Sequence, residues 1–387
     1  MTDFSTISAA VVGTGFIGGV HLDALRRLGV DIRGVVGSSP ARAEERARQL
    51  GVAHAYDSFE EMLADPSVDV VHITSPNDAH AEQAEAALRA GKHVVCEKPL
   101  ALSSEQTARL RRTAAETGLV AAVNFNIRFY PQVHEMRARI RDGAIGAPYL
   151  VTGGYRQDWL LHDTDWNWRA DAEQGGALRV VGDVGSHWFD LAGFVTGQRI
   201  AEVIADLPTF VPVRRRPTGP VETFSGAAGG ETVDVVSTSE DAAVVLIRFD
   251  GGARGSLVAS QVSAGHKNDV SIEVNGAQSS LAWRGERPDR LWIGRRSAPN
   301  ESLVSDGSLL SPDAAAIARL PGGHVEGFEN AFAAMYRAIY SDVAAGGPSA
   351  NPAYATFDDG HEEMLVVEAV ARSARTGSWA AIDRGGE

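Results

Sequence analysis

The chain has 387 residues, 44% of them hydrophobic, which is enough to bury sizeable cores and to divide into about two domains. Its 36 basic and 50 acidic residues leave a formal charge of −14, which argues against nucleic acid and anionic membrane as main partners and is compatible with an enzyme acting on small neutral molecules. The single cysteine, Cys96, excludes an internal disulfide framework and a cysteine-rich metal site. The opening Met1-Thr2-Asp3-Phe4-Ser5 has no basic segment followed by an apolar one, and no apolar run is long enough to span a bilayer. A cytoplasmic protein without a membrane partner is expected.

Ala9 to Val12 read as a strand that runs into Gly13-Thr14-Gly15-Phe16-Ile17-Gly18 and then into a helix ended by Gly29. In that context Gly13 permits the turn, Gly15 removes a side chain where backbone must approach a pyrophosphate, and Gly18 lets helix and strand pack closely. The helix N-terminus would face the phosphates. Ile32 to Val36 read as the second strand and Ala41 to Leu50 as the next helix. Ser58-Phe59-Glu60-Glu61 is a capping box. Val68 to Ile73 is a strand, and Asn77 or Asp78 is expected to cap a helix reaching Gly91. His93 to Cys96 is a strand with a buried thiol, Ser103 caps a helix ending at Gly118, and Leu119 to Val123 form one more strand. The alternation predicts a doubly wound, mostly parallel sheet, with Gly13, Gly37, Ser75 and Lys98 on the rim where ligands bind.

The acidic residue that usually meets the ribose 2′-hydroxyl is missing. The second strand ends Val35-Val36-Gly37-Ser38-Ser39-Pro40-Ala41-Arg42. Ser38, Ser39 and Arg42 would suit a 2′-phosphate, so NADP is expected ahead of NAD, with use of both open. Ser39-Pro40 as a simple helix start, with Arg42 solvated, is the alternative.

The pattern changes after about residue 128. A helix from Pro131 to Arg141 precedes β-rich stretches at Val233 to Val236, Ala243 to Phe249, Gly255 to Val262, Val270 to Val274 and Leu291 to Ile293. Their alternation suits an antiparallel sheet with one covered face. Helices are expected near Gly182 to Val195, His324 to Ala344 and Gly360 to Arg375. Arg214-Arg215-Arg216-Pro217 and the glycine-rich Gly226 to Gly230 read as an exposed loop with solvated arginines.

Two further blocks carry a resemblance: His93-Val94-Val95-Cys96-Glu97-Lys98-Pro99-Leu100-Ala101 and Gly182-Asp183-Val184-Gly185-Ser186-His187-Trp188-Phe189-Asp190. With the glycine turn, Ser75-Pro76-Asn77-Asp78-Ala79-His80 and Trp168-Arg169, they resemble the glucose–fructose oxidoreductase and inositol dehydrogenase family (Gfo/Idh/MocA) along nearly the whole chain. The resemblance implies an α/β protein. Residues 1–127 would form a Rossmann dinucleotide-binding domain. Residues 128–387 would form an α/β domain for substrate binding and oligomerisation, with a large open, mostly antiparallel sheet. A homodimer or homotetramer follows, since that sheet commonly packs on another subunit.

The residues make chemical sense alongside the name. Lys98, at a strand end on the ligand rim, can bond a substrate oxygen and stabilise alkoxide character, with Glu97 orienting it. A cis Lys98–Pro99 bond is expected. Asp183 and His187 are four apart and would share a helix face. His187 would accept the hydroxyl proton, while Asp183 would bind substrate and pair with Lys98. A capping pair or two metal ligands are the alternatives, although no third ligand is evident. By resemblance Lys98, Asp183 and His187 are the catalytic set and no metal is needed. NADP or NAD is expected on Gly13, Thr14, Gly15, Phe16, Ile17, Gly18, Ser38, Ser39, Arg42, Ser75, Pro76, Asn77, His80, Glu97, Lys98, Asn126, Trp168 and Arg169. A small neutral sugar or cyclitol is expected on Lys98, Arg128, Arg156, Asp158, Trp166, Asp183 and His187, because aromatic faces and polar groups together recognise sugars. His266 and His324 lie in loop-like contexts and read as surface histidines or pocket lining. The expected activity is NAD(P)-dependent oxidation of a ring hydroxyl to a ketone, or the reverse. Redox-assisted glycoside cleavage or epimerisation with a retained cofactor, and a non-catalytic ligand sensor, are the alternatives.

Overall fold

Near-continuous apolar strands between amphipathic helices belong to a parallel sheet buried on both faces. In the computed structural model, which describes residues 2–219 and 231–385, they form one. The expected glycine-rich loop Gly226 to Gly230 lies outside the described residues. The chain divides into two units, Met1–Asn126 with Phe332–Met364, and Ile127–Ala331 with Leu365–Glu387.

In the first unit β1 (Ser8–Val12), β2 (Asp31–Val36), β3 (Ala55–Tyr56), β4 (Val70–Ile73), β5 (His93–Cys96) and β6 (Ala121–Val123) alternate with α1 (Phe16–Leu28), α2 (Pro40–Leu50), α3 (Phe59–Ala64), α4 (Asn77–Arg89) and α5 (Ser104–Thr117). All of β1 is buried. The parallel order is β6-β5-β4-β1-β2-β3, so the winding reverses at β1 and the carboxyl ends of β1, β2, β4 and β5 share one edge. That is the switch point where such sheets bind ligands. Three serine caps form as the sequence suggests: Ser39, Ser58 and Ser103 accept from the backbone N–H groups of Arg42, Glu61 and Gln106. Glu61 reaches back past its cap, accepting from Asp57 N, one residue before Ser58, at 2.6 Å. The helix expected to be capped by Asn77 or Asp78 instead has Pro76 at its N-cap and no side-chain cap.

The sequence assigned everything after residue 127 to the second domain, whereas Phe332–Met364 returns to the first unit. The physical reason is cover. Ala355–Thr356 pairs antiparallel with β6 and closes that sheet edge. Tyr336 and Tyr340 pack on the buried rings of His21 and His72.

The second unit is built on a nine-stranded sheet. Its order is Glu301–Val304, Arg290–Arg295, Ser279–Arg284, Asp269–Gly276, Pro148–Arg156, Arg254–Ser260, Ala242–Phe249, Ile200–Asp206 and Ala380–Ala381. Only the pairing of Pro148–Arg156 with Arg254–Ser260 is parallel. One face, with Val245, Ile247, Leu257, Ile272 and Leu281, is buried, and helices Pro131–Arg141 and Ser186–Thr196 lie against strands of this sheet. Gly153 admits this packing: a Cβ there would lie 2.7 Å from Nε1 of Trp188. The opposite face carries exposed apolar side chains at Leu150, Val244, Leu246, Val258 and Trp292. Cross-strand register puts them on the same side.

The arginine run corrects the sequence reading. Val213–Pro217 is a strand paired with Thr232–Val236, and Arg214 is 1% exposed. Its guanidinium bonds Asp241 Oδ1 at 2.6 Å and the carbonyls of Leu160 and His162 at 3.0 and 3.1 Å. Arg179 bonds the same Asp241 oxygen, and Oδ2 accepts from the N–H groups of Phe210 and Val211. Burial pushes the Asp241 carboxyl up, but the Val211 N–H and the two guanidinium groups outweigh it and hold it below the usual range. Asp241→Asn would leave two buried cations without their counter-charge. It should cost about 3–5 kcal/mol in urea unfolding; a loss below about 1 kcal/mol would contradict this account.

Candidate active site

In the first unit the expected cofactor residues lie at strand ends and in the turns that follow them. Gly13 turns at φ +94°, and a Cβ there would lie 2.6 Å from the Thr74 backbone. A Cβ on Gly18 would lie 2.3 Å from Gly13 O, so α1 can approach β1 only with glycine here. At Gly15 an added Cβ would meet nothing within 4 Å, and no side chain caps α1 at this residue. Open backbone at a helix start is the cradle that a pyrophosphate requires. Arg46 fixes the turn by donating to Thr14 O at 2.9 Å, and the Thr74 hydroxyl lies 2.7 Å from Gly13 O. Neither residue was expected from the sequence, because each acts on backbone from a distant segment.

At the tip of β2, a Cβ on Gly37 would lie 2.8 Å from Ala43 N, so close approach of α2 leaves no space for a carboxylate-bearing residue. Ser38 is exposed, Ser39 is the helix cap, and Arg42 is exposed and paired with Glu45 at 3.0 Å. At the end of β4, Ser75 donates to Gln83 at 2.6 Å, Pro76 is exposed, and Asn77 is buried in the first turn of α4. His80 is fully buried, with its ring nitrogens 2.8 Å from Pro99 O and 2.9 Å from Ser75 O. It ties two rim loops together.

After β5 comes Glu97, buried at 7% exposure, then Lys98 and a cis bond to Pro99. Glu97 Oε2 accepts from Lys98 N at 3.2 Å; Oε1 accepts from His21 Nε2 at 3.0 Å and from Asn124 Nδ2. Asn126 is buried at the start of a 3₁₀ turn, Asn126–Phe129. His21 and Asn124 were not expected. A lone histidine in an apolar helix face carries no sequence signal of its carboxylate partner.

In the second unit a π-helical turn, Val181–Gly185, runs directly into helix Ser186–Thr196. Such turns widen the backbone and recur at functional sites. Glu240 anchors this one by accepting from Val181 N at 2.9 Å and Arg179 N at 3.1 Å, and burial pushes its carboxyl up. Asp183 sits in the turn, accepting from Gln261 Nε2 at 2.7 Å and facing Arg169 Nε at 3.3 Å. Arg169 stacks on Trp168 at 4.3 Å. His187, 8% exposed, has its ring 5.9 Å from that of Tyr155, whose hydroxyl burial holds well above its ordinary pKa, with Asp183 adding to the effect. That phenol stays protonated and donates to Asn268.

The expected substrate residues divide. Asp183 and His187 belong to this cluster. Arg128 is buried, bonds Asp190 and lies 5.0 Å from the Phe194 ring centroid. Arg156 bonds Asp269 at 2.9 Å, a carboxylate that also meets Arg284 and His266 at 2.8 Å each. Asp158 accepts from Lys267 at 2.7 Å and Gly265 N at 3.0 Å, contacts that hold it below the usual range. Trp166 lies 5.8 Å from Arg216, and His324 is exposed. Among the described residues no cluster of histidine, cysteine and carboxylates could hold a metal, and no helix is long and apolar enough to cross a membrane.

Residues 7–125 match the oxidoreductase family with an NAD-binding Rossmann fold, and residues 133–282 match the GFO/IDH/MocA C-terminal domain. The chain belongs to the Gfo/Idh/MocA oxidoreductase family. It is 29% identical to a levoglucosan dehydrogenase of Pseudarthrobacter phenanthrenivorans over 389 residues, covering 96% of this chain and 97% of the relative. It is also 29% identical to a myo-inositol dehydrogenase of Streptomyces leeuwenhoekii, covering 96% and 98%. A solved levoglucosan dehydrogenase in complex with NADH and L-sorbose superposes with a TM-score of 0.86 at 27% identity, covering 97% of this chain and 98% of that one. The Rossmann sheet and the large mixed, mostly antiparallel sheet are thus those of an NAD-binding family of sugar and cyclitol dehydrogenases.

The glycine turn gives a clean test of the cofactor cradle. Gly15→Val meets no protein atom near its Cβ. It should leave the melting temperature within about 2 °C while weakening NADH binding, read by fluorescence titration, by at least about tenfold. Unchanged affinity would contradict the assignment.

Proposed function

We propose that the protein oxidises a ring hydroxyl of a sugar or cyclitol to a ketone, or catalyses the reverse reduction, using NAD(P). The observation that carries this reading is Asp183, oriented by Gln261 and Arg169, four residues ahead of the nearly buried His187. Bound nicotinamide supplies the hydride acceptor at C4. The His187 imidazole takes the hydroxyl proton as hydride leaves the same carbon, and later releases that proton to solvent. Asp183 accepts from a substrate hydroxyl, and Gln261 and Arg169 keep its carboxylate aimed. The Lys98 ammonium stabilises the alkoxide as it forms. Levoglucosan and myo-inositol, named for the relatives, are the first substrates to try. NADP is accepted beside NAD, because the β2 tip carries no carboxylate and Arg42 needs only to leave an exposed partner.

Net absorbance at 340 nm, followed with levoglucosan, myo-inositol and common monosaccharides and with NAD and NADP in turn, tests the reading. Reduced coenzyme should accumulate with one sugar and with both coenzymes. His187→Ala should lower kcat 10²–10⁴-fold, about 3–5 kcal/mol, with coenzyme affinity kept. Near-full turnover in that variant would refute the general base, and turnover confined to NAD would refute the coenzyme reading.

We also infer a homodimer or homotetramer. Leu150, Val244, Leu246, Val258 and Trp292 make one sheet face apolar, and an apolar patch on a soluble chain calls for cover. Light scattering should give a multiple of 41.0 kDa; a monomer at micromolar concentration would contradict this.

A further inference from the structure

Behind Glu97 lies a row of buried polar rings that the proposed reaction does not use. Tyr340 Oη is 2.9 Å from His72 Nε2, His72 Nδ1 is 3.0 Å from His21 Nδ1, and His21 Nε2 is 3.0 Å from Glu97 Oε1. All three rings have 0% exposure, and Phe332 and Tyr336 wall the His21 ring at centroid distances of 5.7 and 5.3 Å. We propose that Tyr340, His72 and His21 form a one-way hydrogen-bond chain that holds the Glu97 carboxylate and, through it, positions Lys98.

The direction follows from counting protons. Burial holds the Tyr340 hydroxyl well above its ordinary pKa, so it keeps its proton. Among the described residues His72 Nε2 is the one hydrogen-bond partner of that hydroxyl, and a buried donor needs an acceptor. His72 Nε2 therefore carries no proton. Burial keeps His72 neutral, so its single proton sits on Nδ1 and points at His21. Two nitrogens facing each other at 3.0 Å share one proton, so His21 Nδ1 is bare and its proton is on Nε2, aimed at Glu97. The two histidines are neutral and in opposite tautomers. Glu97 then receives N–H groups from His21 and Asn124 on one oxygen and from Lys98 on the other. Rotation of the carboxylate would break all three bonds, so the Lys98 backbone is fixed. His21 and His72 are positioning residues, and their functional consequence rests on Lys98 belonging to the proposed site.

The test uses the full chain labelled with [¹⁵N]histidine; its 11 histidines are assigned by single substitutions. Imidazole ¹⁵N shifts at pH 7 should show His72 protonated on Nδ1 and His21 on Nε2, both neutral. An imidazolium at either ring, or one tautomer for both, overturns the chain. Amide hydrogen exchange then reads the positioning without any substrate. Tyr340→Phe removes one oxygen, and His72→Phe removes the relay. Each should speed exchange of the Lys98 amide at least about tenfold while β1 and β4 keep their protection. His72→Asn, which restores a donor at the Nδ1 position, should recover most of it. Unchanged Lys98 exchange in both phenylalanine variants overturns the positioning role. In the sugar assay these variants should lose about 10–100-fold in kcat with KM for coenzyme unchanged. If Lys98→Met keeps full turnover while the tautomers and exchange behave as stated, the site reading fails and the chain stands.

Discussion

A carboxylate withdrawn from water must be met by donors, and in each unit that requirement holds the backbone of the proposed catalytic residues. Glu97 collects N–H groups from the segment after β5, from α1 and from the segment after β6, and one of them is the amide of Lys98. Glu240 accepts from Arg179 N and Val181 N, at the head of the turn that carries Asp183. Its neighbour Asp241 joins Arg179 to Arg214, and Arg214 reaches the carbonyls of Leu160 and His162. Removing any of these carboxylates strands several donors at once, so each fixes several segments at once.

The cofactor cradle obeys the opposite rule. There the functional element is the missing side chain. Gly13 and Gly18 are glycine because backbone lies against them, whereas Gly15 is glycine although nothing does. The difference separates glycines that packing requires from one that it does not within one six-residue turn. Gly37 belongs to the first kind: the approach of α2 excludes a side chain there, and Ser39 caps that helix.

Local signals made much of the first unit legible. Apolar runs announced β1, β4 and β5, and serine caps announced α3 and α5. The second unit was less legible. Pro148–Arg156 contains two adjacent glycines, yet it sits at the centre of the nine-stranded sheet, where Ser271 O and Trp188 pack against the bare Gly153 backbone. Arg214 looked solvated, since its counter-charge, Asp241, is 27 residues away. The return of Phe332–Met364 was invisible for the same reason: pairing with β6 and packing on His21 and His72 are long-range facts. In the candidate site, Lys98, Asp183 and His187 could be read from motifs, while the residues that hold them in place (His21, Asn124, Gln261) could not. Motifs are contiguous in sequence; the groups that pack against them are scattered, and their roles appear only in three dimensions.

The central claim is direct removal of a hydride from a sugar carbon. Carbon-perdeuterated levoglucosan and myo-inositol, incubated with the enzyme and oxidised coenzyme, test it by ¹H NMR of the reduced coenzyme. The account predicts one deuterium at C4 of the dihydronicotinamide ring, with the hydroxyl proton released to water. Deuterium in the solvent with none at C4, or sugar turnover with the coenzyme left fully oxidised throughout, would contradict it.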